Sequence, residues 1–173
     1  MLGYIIADAG GGADRCLADL ADRLAVAGIA HAGAVQINTA RHDGQPPDMD
    51  LRLIGSGRIL RISQTLGPSA AGCRLDAAAL EEAVGLVGAA LDRAAPRLLL
   101  LNRFGRQEAE GHGFRPLIGR ALAGGVAVLT AVGADYSAAF DTFADGLGER
   151  LPADPARLFD WCRAAAEIPF SPE

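Results

Sequence analysis

A group of polar side chains directly follows an apolar stretch in the second half of the chain. Residues 98–113 read LLLLNRFGRQEAEGHG, so four consecutive leucines lead into asparagine, arginine, glutamine and glutamate side chains. A short apolar run of this kind predicts a buried strand of a parallel sheet. In open α/β sheets, ligands bind outside the carboxyl ends of such strands. The segment therefore predicts a functional site just beyond Leu101.

The side chains of this segment favour anion binding. Guanidinium groups and amides donate hydrogen bonds to oxyanions, and four residues supply them here: Asn102, Arg103, Arg106 and Gln107. A tetrahedral dianion such as molybdate or phosphate suits these donors. Surface arginines that pair with neighbouring glutamates produce the same pattern, so both interpretations stay open. Glu108 adds a carboxylate that would orient a water molecule if the protein is a hydrolase.

Three residues elsewhere supply further donors to the same predicted cleft. Gln36 lies near the end of a predicted strand, Gln64 follows a predicted hairpin, and Arg74 precedes a predicted helix. We expect their amide and guanidinium groups to act as ligand-binding groups beside those of residues 102–107.

The glycine-rich segment near the N-terminus lies where a phosphate-binding loop would be. That motif, G-x-x-x-x-G-K-[ST], places glycine N–H groups around phosphates and adds a lysine and a hydroxyl for magnesium. Here Ala7 stands in the place of the first glycine, whereas Ala13 and Asp14 replace the lysine and the hydroxyl residue. The segment favours a glycine-rich turn with Asp14 as a helix cap; the alternative is a weak anion site at the helix N-terminus. The glycines that would contact the anion are Gly10, Gly11 and Gly12.

The order of apolar runs and turn residues predicts an α/β fold. Predicted strands cover residues 2–7, 32–38, 49–54, 59–63, 98–101 and 126–132. Predicted helices follow Asp14, Asp76 and Asp154, and a further helix covers residues 114–122. A GSGR link joins the third and fourth strands into a β-hairpin. We expect a single domain over residues 1–173, with a three-layer, mostly parallel sheet flanked by helices and an inserted hairpin.

Composition argues against several classes of function. The net charge of −5 lacks the positive field of nucleic-acid-binding proteins, and because all 16 basic side chains are arginine, Schiff-base chemistry has no lysine to use. The cysteines and histidines show neither a disulfide framework nor metal-ligand spacing, so no metal site is expected. No signal peptide or run long enough for membrane insertion is evident. We expect a cytoplasmic protein without nucleic-acid partners.

The segment after the leucine run resembles the corresponding region of small P-loop nucleoside-triphosphatases. In that family a strand ends in Asp-Glu, followed by a hydrophobic residue, Gly, Lys or Arg, Met and Glu, and a Phe opens the next helix. The matching residues are Gly105, Arg106, Glu108 and Phe114. Asn102, Arg103 and Gln107 depart from the pattern, so an amide and a guanidinium replace the acids that hold magnesium and activate water there. The resemblance implies a degenerate form of this fold, with magnesium and nucleotide bound if hydrolysis persists.

A second resemblance covers most of the chain. The segments that carry it are VQ at 35–36, RISQTLG at 61–67, GCRLD at 72–76, LNRFGRQEAEGHGFR at 101–115 and the helix around Trp161. They are similar to a bacterial domain-of-unknown-function family that is often encoded beside molybdate-transport genes and is distantly similar to those nucleoside-triphosphatases. This resemblance implies a link to molybdenum or tungsten oxyanion metabolism.

These patterns support a leading hypothesis and two alternatives. The leading hypothesis is an accessory or regulatory protein that binds a small anion, either a molybdate-type oxyanion or a nucleotide phosphate, in molybdenum-linked metabolism. The first alternative is a magnesium-dependent nucleoside-triphosphatase that uses Glu108 and arginines. The second is a protein-interaction module without a small ligand. Phe140 and Phe143 favour either core packing or a subunit contact in a homodimer.

Overall fold

The fold is that of a computed structural model, which describes residues 1–7, 10–41, 46–64 and 74–167. The strands in this part of the chain are β1 (Leu2–Ala7), β2 (His31–Thr39), β3 (Asp48–Leu53), β4 (Ile59–Arg61), β5 (Leu98–Phe104), β6 (Ala127–Gly133) and β7 (Gly148–Arg150). The helices are α1 (Gly12–Val26), α2 (Ala77–Ala94), α3 (Arg106–Ala109), α4 (Arg115–Ala123), α5 (Ser137–Ala144) and α6 (Pro155–Glu167). A short 3-10 turn, Ala134–Tyr136, precedes α5.

The seven described strands form one sheet in the order β4-β3-β2-β5-β6-β1-β7. The five strands from β2 to β7 in this order are parallel to one another. β3 pairs antiparallel with both β2 and β4. The predicted mostly parallel sheet with an inserted hairpin is thus confirmed. Because the parallel strands share one direction, their carboxyl ends lie along a single edge of the sheet.

Helices cover both faces of the sheet because the central strands are apolar on both sides. On one face, α1 and α6 pack through residues such as Leu17 and Leu158. On the other, α2, α4 and α5 pack through residues such as Val87 and Phe140. Residues 98–101 are fully buried between these layers, and each such leucine contributes roughly 1.5–3 kcal/mol to stability. The predicted three-layer arrangement follows from this two-sided burial.

Aspartate caps begin two of the helices, as their sequences predict. The Asp76 carboxylate accepts hydrogen bonds from the backbone N–H groups of Ala78 and Ala79, 3.0 and 3.1 Å away. The Asp154 carboxylate accepts in the same way from Ala156 and Arg157. Each cap satisfies N–H groups that have no partner within the helix, and is worth about 1 kcal/mol.

The start of α1 differs from the prediction. Asp14 does not cap the helix, because the helix begins at Gly12 and the cap position is Gly11, in a left-handed conformation with φ 69°. Asp14 lies within the first turn instead, and its side chain points into the protein. A glycine adopts the left-handed conformation without a steric penalty, so the helix starts three residues earlier than it would with Asp14 as its cap.

Several short elements were not predicted from the sequence. β5 continues to Phe104, α3 follows it at once, and α5 and β7 lie between β6 and the final helix. Phe140 of α5 is fully buried, with its ring centroid 4.7 Å from that of Tyr4 and 5.1 Å from that of Phe104. Core packing, one of the two expected roles of Phe140, is what the structure shows. No helix in the described ranges combines the length and the hydropathy that crossing a bilayer requires.

Candidate functional site

A buried carboxylate joins the start of α1 to the carboxyl ends of β2 and β5. Asp14 is 2% exposed. Its Oδ1 accepts from Nδ2 of Asn102 at 2.8 Å, and its Oδ2 accepts from Nδ2 of Asn38 at 2.6 Å. Nη2 of Arg103 lies 3.0 Å from both oxygens, and Nε2 of Gln36 lies 3.4 Å from Oδ2. We call these five residues the Asp14 cluster.

Strand geometry explains why these side chains meet. Gln36 and Asn38 are two positions apart in β2 and therefore point to the same face of the sheet, and Nε2 of Gln36 donates to Oδ1 of Asn38 at 2.8 Å. In β5 the register against β6 shifts between Asn102 and Phe104. An irregularity of this kind breaks the alternation of side chains, so that Asn102 and its neighbour Arg103 both reach Asp14.

The cluster is electrostatically balanced. It contains one carboxylate and one guanidinium, and the amides add neutral donors to the carboxylate oxygens. The first turn of α1 also favours a negative charge at Asp14, because helix N-terminal N–H groups carry partial positive charge. Such an arrangement compensates the cost of burying the ion pair. The guanidinium of Arg103 therefore forms an ion pair within the protein, with Asp14.

A pocket of about 430 Å³ lies beside the cluster, which is within the range of small-molecule sites. Its polar lining comes from seven residues proposed from the sequence: Gln36, Arg74, Asn102, Arg103, Arg106, Gln107 and Glu108. Its apolar lining comes from the hairpin, the start of α2 and the turn before α5, through Met49, Ile62, Leu75, Leu80 and Tyr136. The predicted polar segment at the end of β5 thus opens onto an amphipathic pocket.

Two arginines of the pocket form weak or exposed ion pairs. Nε of Arg106 lies 2.8 Å from Oε1 of Glu110, but the Arg106 side chain is 58% exposed. Nη1 of Arg74 donates to the backbone oxygen of Pro47 at 3.1 Å, and its Nη2 lies 3.8 Å from Oδ1 of Asp48. The Arg106–Glu110 pair is exposed and is worth about 0–1 kcal/mol. The Arg74–Asp48 contact is long, although the two side chains are only 24% and 13% exposed.

Glu108 lines the pocket, but its carboxylate binds backbone N–H groups of the protein itself. It is 3% exposed, and its Oε2 accepts from the N–H of Gly105 at 2.9 Å while its Oε1 accepts from the N–H of Phe114 at 3.0 Å. Burial raises the pKa of the Glu108 carboxyl, although hydrogen bonds from backbone N–H groups act in the opposite direction. The carboxylate therefore holds the turn between β5 and α4 with both of its oxygens.

The other predicted residues lie outside the pocket lining. Gln64 is exposed, and its Nε2 donates to the backbone oxygen of Leu75 at 3.2 Å. The three glycines are at the start of α1, where a Cβ on Gly11 would lie 3.5 Å from Nδ2 of Asn38. These glycines therefore border the Asp14 cluster rather than the pocket; they are Gly10, Gly11 and Gly12.

Asp14 and Asn38 were not proposed as site residues from the sequence. The sequence does mark Asp14 as unusual, since this aspartate occupies the position where the phosphate-binding motif has a serine or threonine. Asn38 had no such signal, because it is one of many polar residues around a turn-rich segment. Among the described residues, no group of three or more histidine, cysteine, aspartate or glutamate side chains is close enough to hold a metal ion.

Comparison with known proteins identifies the family. A sequence profile described as "Protein of unknown function (DUF2478)" matches residues 2–161. The chain belongs to this family. The match includes the whole sheet, the Asp14 cluster and the pocket.

A curated relative carries a functional name. The chain is 36% identical over 150 residues to a protein of Bradyrhizobium diazoefficiens named "Molybdenum import ATP-binding protein ModC 2". The match covers 87% of this chain but 17% of that protein. The chain thus spans about a sixth of the length of the relative.

A solved structure shares the fold. The solution structure of a human cancer-related nucleoside triphosphatase has a TM-score of 0.64, with 96% of each chain covered and 13% sequence identity. At this identity the similarity concerns the fold alone. It confirms the predicted class, an α/β protein whose mostly parallel sheet is flanked by helices in the manner of P-loop nucleoside-triphosphatases.

Proposed function

We propose that this protein is a cytoplasmic accessory or regulatory protein that binds a small anion in the pocket beside the Asp14 cluster, in molybdenum-linked metabolism. The anion is a molybdate-type oxyanion or the phosphate of a nucleotide. The observation that carries the proposal is the placement of Arg74, Arg106 and Gln107 around one pocket at the carboxyl ends of the central strands.

The arginines of the pocket have separate roles in this proposal. Arg103 stays with Asp14 and holds the end of β5 in position. Arg74 and Arg106 bind the anion, because their present ion pairs are long or exposed and exchange readily for a charged ligand. Gln107, which is half-buried at the same place, adds a neutral donor.

The molybdenum link rests on the relative from Bradyrhizobium diazoefficiens. Its name assigns molybdenum import and ATP binding to the whole protein, and the segment similar to this chain is 17% of it. A similar segment forms part of a protein named for molybdenum import. This supports an accessory role in which the segment binds the anion and thereby senses how much of it is available. The similarity to a nucleoside triphosphatase fold supports nucleotide phosphate as the alternative anion.

Magnesium does not fit the Asp14 cluster. Carboxylate oxygens suit magnesium, but both oxygens of Asp14 accept hydrogen bonds from the positively charged Arg103. Asn102 and Arg103 also stand where the resembling enzymes have acids. The Asp14 cluster therefore does not support a magnesium-dependent hydrolytic step.

A thermal-shift panel tests the proposal. Purified protein is heated with molybdate, tungstate, phosphate, magnesium-ATP and magnesium-GTP at matched ionic strength. A ligand at a hundredfold excess over Kd stabilises the folded state by about 2.7 kcal/mol. For a chain of this size, about 1 kcal/mol raises Tm by 2–4 °C, so binding gives a shift of roughly 5–10 °C.

Matched variants assign the shift to the pocket. Arg74→Ala and Arg106→Ala should each remove most of it, whereas Arg157→Ala removes an exposed arginine of α6 and should leave it unchanged. Absence of a shift with all five compounds would overturn the proposal and favour a protein-interaction module. Equal loss in all three variants would indicate nonspecific charge attraction.

A further inference from the structure

The pocket has two unlike halves. One half carries the guanidinium groups of Arg74 and Arg106, while the other consists of aliphatic, thioether and aromatic side chains from Met49, Leu80 and Tyr136. A bare oxyanion is strongly hydrated and needs hydrogen-bond donors on all sides, which the apolar half does not supply. An oxyanion alone would therefore leave half of the recognition surface unused.

The volume of the pocket also favours a ligand larger than a single oxyanion. A tetrahedral oxyanion takes the space of a few water molecules, each roughly 30 Å³ in the liquid. The pocket measures about 430 Å³. Volumes of this order, with an apolar wall and a few polar groups, are typical of sites for small organic ligands.

An unpaired acceptor adds a third feature. Asn102 lines the pocket, is 1% exposed, and uses its Nδ2 to bond Asp14, which fixes the orientation of the amide because a carboxylate accepts only. Its Oδ1 accepts no hydrogen bond from the described part of the chain. A buried acceptor without a donor costs about 1–3 kcal/mol. An N–H group of a ligand would remove this cost after a small movement of the side chains around Oδ1.

We propose that the ligand of this pocket is an aromatic or heterocyclic ring compound that carries an anionic group and a ring N–H. The ring packs between Met49 and Tyr136, its N–H bonds Oδ1 of Asn102, and the anionic group binds Arg74 and Arg106. Methionine and tyrosine suit this task, because a thioether adapts to flat surfaces and an aromatic ring stacks on them. This inference rests on the function proposed above and specifies its ligand.

Matched pairs of phosphate compounds test the contribution of the ring. Calorimetry on the full chain compares phenyl phosphate with methyl phosphate, and guanosine 5′-monophosphate with ribose 5-phosphate. We expect each ring compound to bind at least tenfold more tightly than its partner without a ring. Guanosine monophosphate should exceed phenyl phosphate, since guanine has N–H donors and phenyl has none.

Variants of the apolar half distinguish the contribution of the ring to binding affinity from that of the phosphate. Met49→Ser should reduce the tenfold advantage to less than threefold, because it weakens binding of the ring compounds more than binding of ribose 5-phosphate. Tyr136→Leu, which keeps an apolar side chain, provides a second variant if Met49→Ser folds poorly. Ile59→Ser is the control, because Ile59 belongs to the same hairpin but is 58% exposed and lies outside the pocket lining.

The outcomes distinguish this inference from the proposed function. If methyl phosphate or molybdate binds in an Arg106-dependent way and the rings add nothing, the inference is wrong and the proposed function stands. A tenfold advantage that persists in both Met49→Ser and Tyr136→Leu would also overturn the inference. If no anion binds at all, both fail together.

Discussion

Nη2 of Arg103 lies 3.0 Å from both carboxylate oxygens of Asp14, and this ion pair joins the end of β5 to the start of α1. The two residues are 89 positions apart in the chain. Their side chains differ in exposure, at 32% for Arg103 and 3% for Asp14. The carboxylate therefore depends on its partners for compensation, whereas the guanidinium still has contact with solvent.

This asymmetry predicts the effect of removing the cation. Arg103→Met leaves a buried carboxylate with amide donors alone, and we expect the free energy of unfolding to fall by about 3 kcal/mol. Arg58→Met is the control, because Arg58 and Glu82 form an even shorter pair of 2.6 Å in which both side chains are half exposed; its loss should stay below about 1 kcal/mol. Urea denaturation measures both changes.

A double variant checks the mechanism. Asp14→Asn in the Arg103→Met background removes the uncompensated charge, so the double variant should be more stable than Arg103→Met alone. A double variant whose loss equals the sum of the two single losses would contradict the pairing.

The position of Glu108 predicts a pH dependence. Burial raises its pKa in the folded state above the ordinary value of 4.5, so the folded protein holds this proton more tightly than the unfolded chain. Stability contributed by the protonated group is present below pH 4.5 and is lost as the pH rises to the folded-state pKa. We therefore expect the free energy of unfolding of the native protein to fall, relative to Glu108→Gln, as the pH rises through this window.

Urea midpoints of the two proteins, measured at several pH values, give the comparison. The variant should be less stable throughout, because a glutamine amide offers one acceptor to the N–H groups of Gly105 and Phe114 where the carboxylate offers two. A difference between the two proteins that does not change with pH would show that Glu108 titrates alike in the folded and unfolded states.

Two glycines that differ in surroundings provide a third prediction. Gly113 has φ +58°, and a Cβ there would overlap with Oε1 of Glu108 and lie 3.2 Å from Cδ2 of Leu80. Gly113→Ala should therefore cost at least about 2 kcal/mol from backbone strain and displacement of the carboxylate. Gly119 lies inside α4, and apart from its chain neighbours and the backbone of the helix itself no described atom lies within 4 Å of a Cβ added there, so Gly119→Ala should gain about 0.5–1 kcal/mol. Thermal denaturation of both variants tests the opposite signs.

Local sequence determined much of the fold. β1 has the predicted bounds because its run of apolar residues ends at Ala7, and Asp76 caps α2 because its carboxylate reaches N–H groups two and three residues ahead. The hairpin of β3 and β4 followed from two alternating segments and a short link. Each of these features depends on residues that are close together in the chain.

The site depended on distant contacts and was predicted in part. Four residues were proposed as ligand-binding because they follow an apolar run that predicts a buried strand: Asn102, Arg103, Arg106 and Gln107. The orientation of Asp14 was not predictable in this way, since Asn38 and Arg103 reach it across 24 and 89 positions. The capping role of Glu108 also escaped prediction, because Gly105 has no side chain to complete the usual helix-start pattern and Phe114 lies outside α3.

The same contacts predict that the chain does not hydrolyse nucleoside triphosphates in a magnesium-dependent way. An enzyme that used Glu108 to orient water would need a carboxylate open to the cleft, but Glu108 is 3% exposed and each of its oxygens already accepts a backbone hydrogen bond. We expect phosphate release from magnesium-ATP and magnesium-GTP to be no faster than in a control without protein. Glu108→Gln and an excess of EDTA are the matched controls. Turnover that requires magnesium and disappears in a folded Glu108→Gln variant would contradict this prediction, whereas turnover that persists in the variant would come from a contaminating enzyme or from other residues.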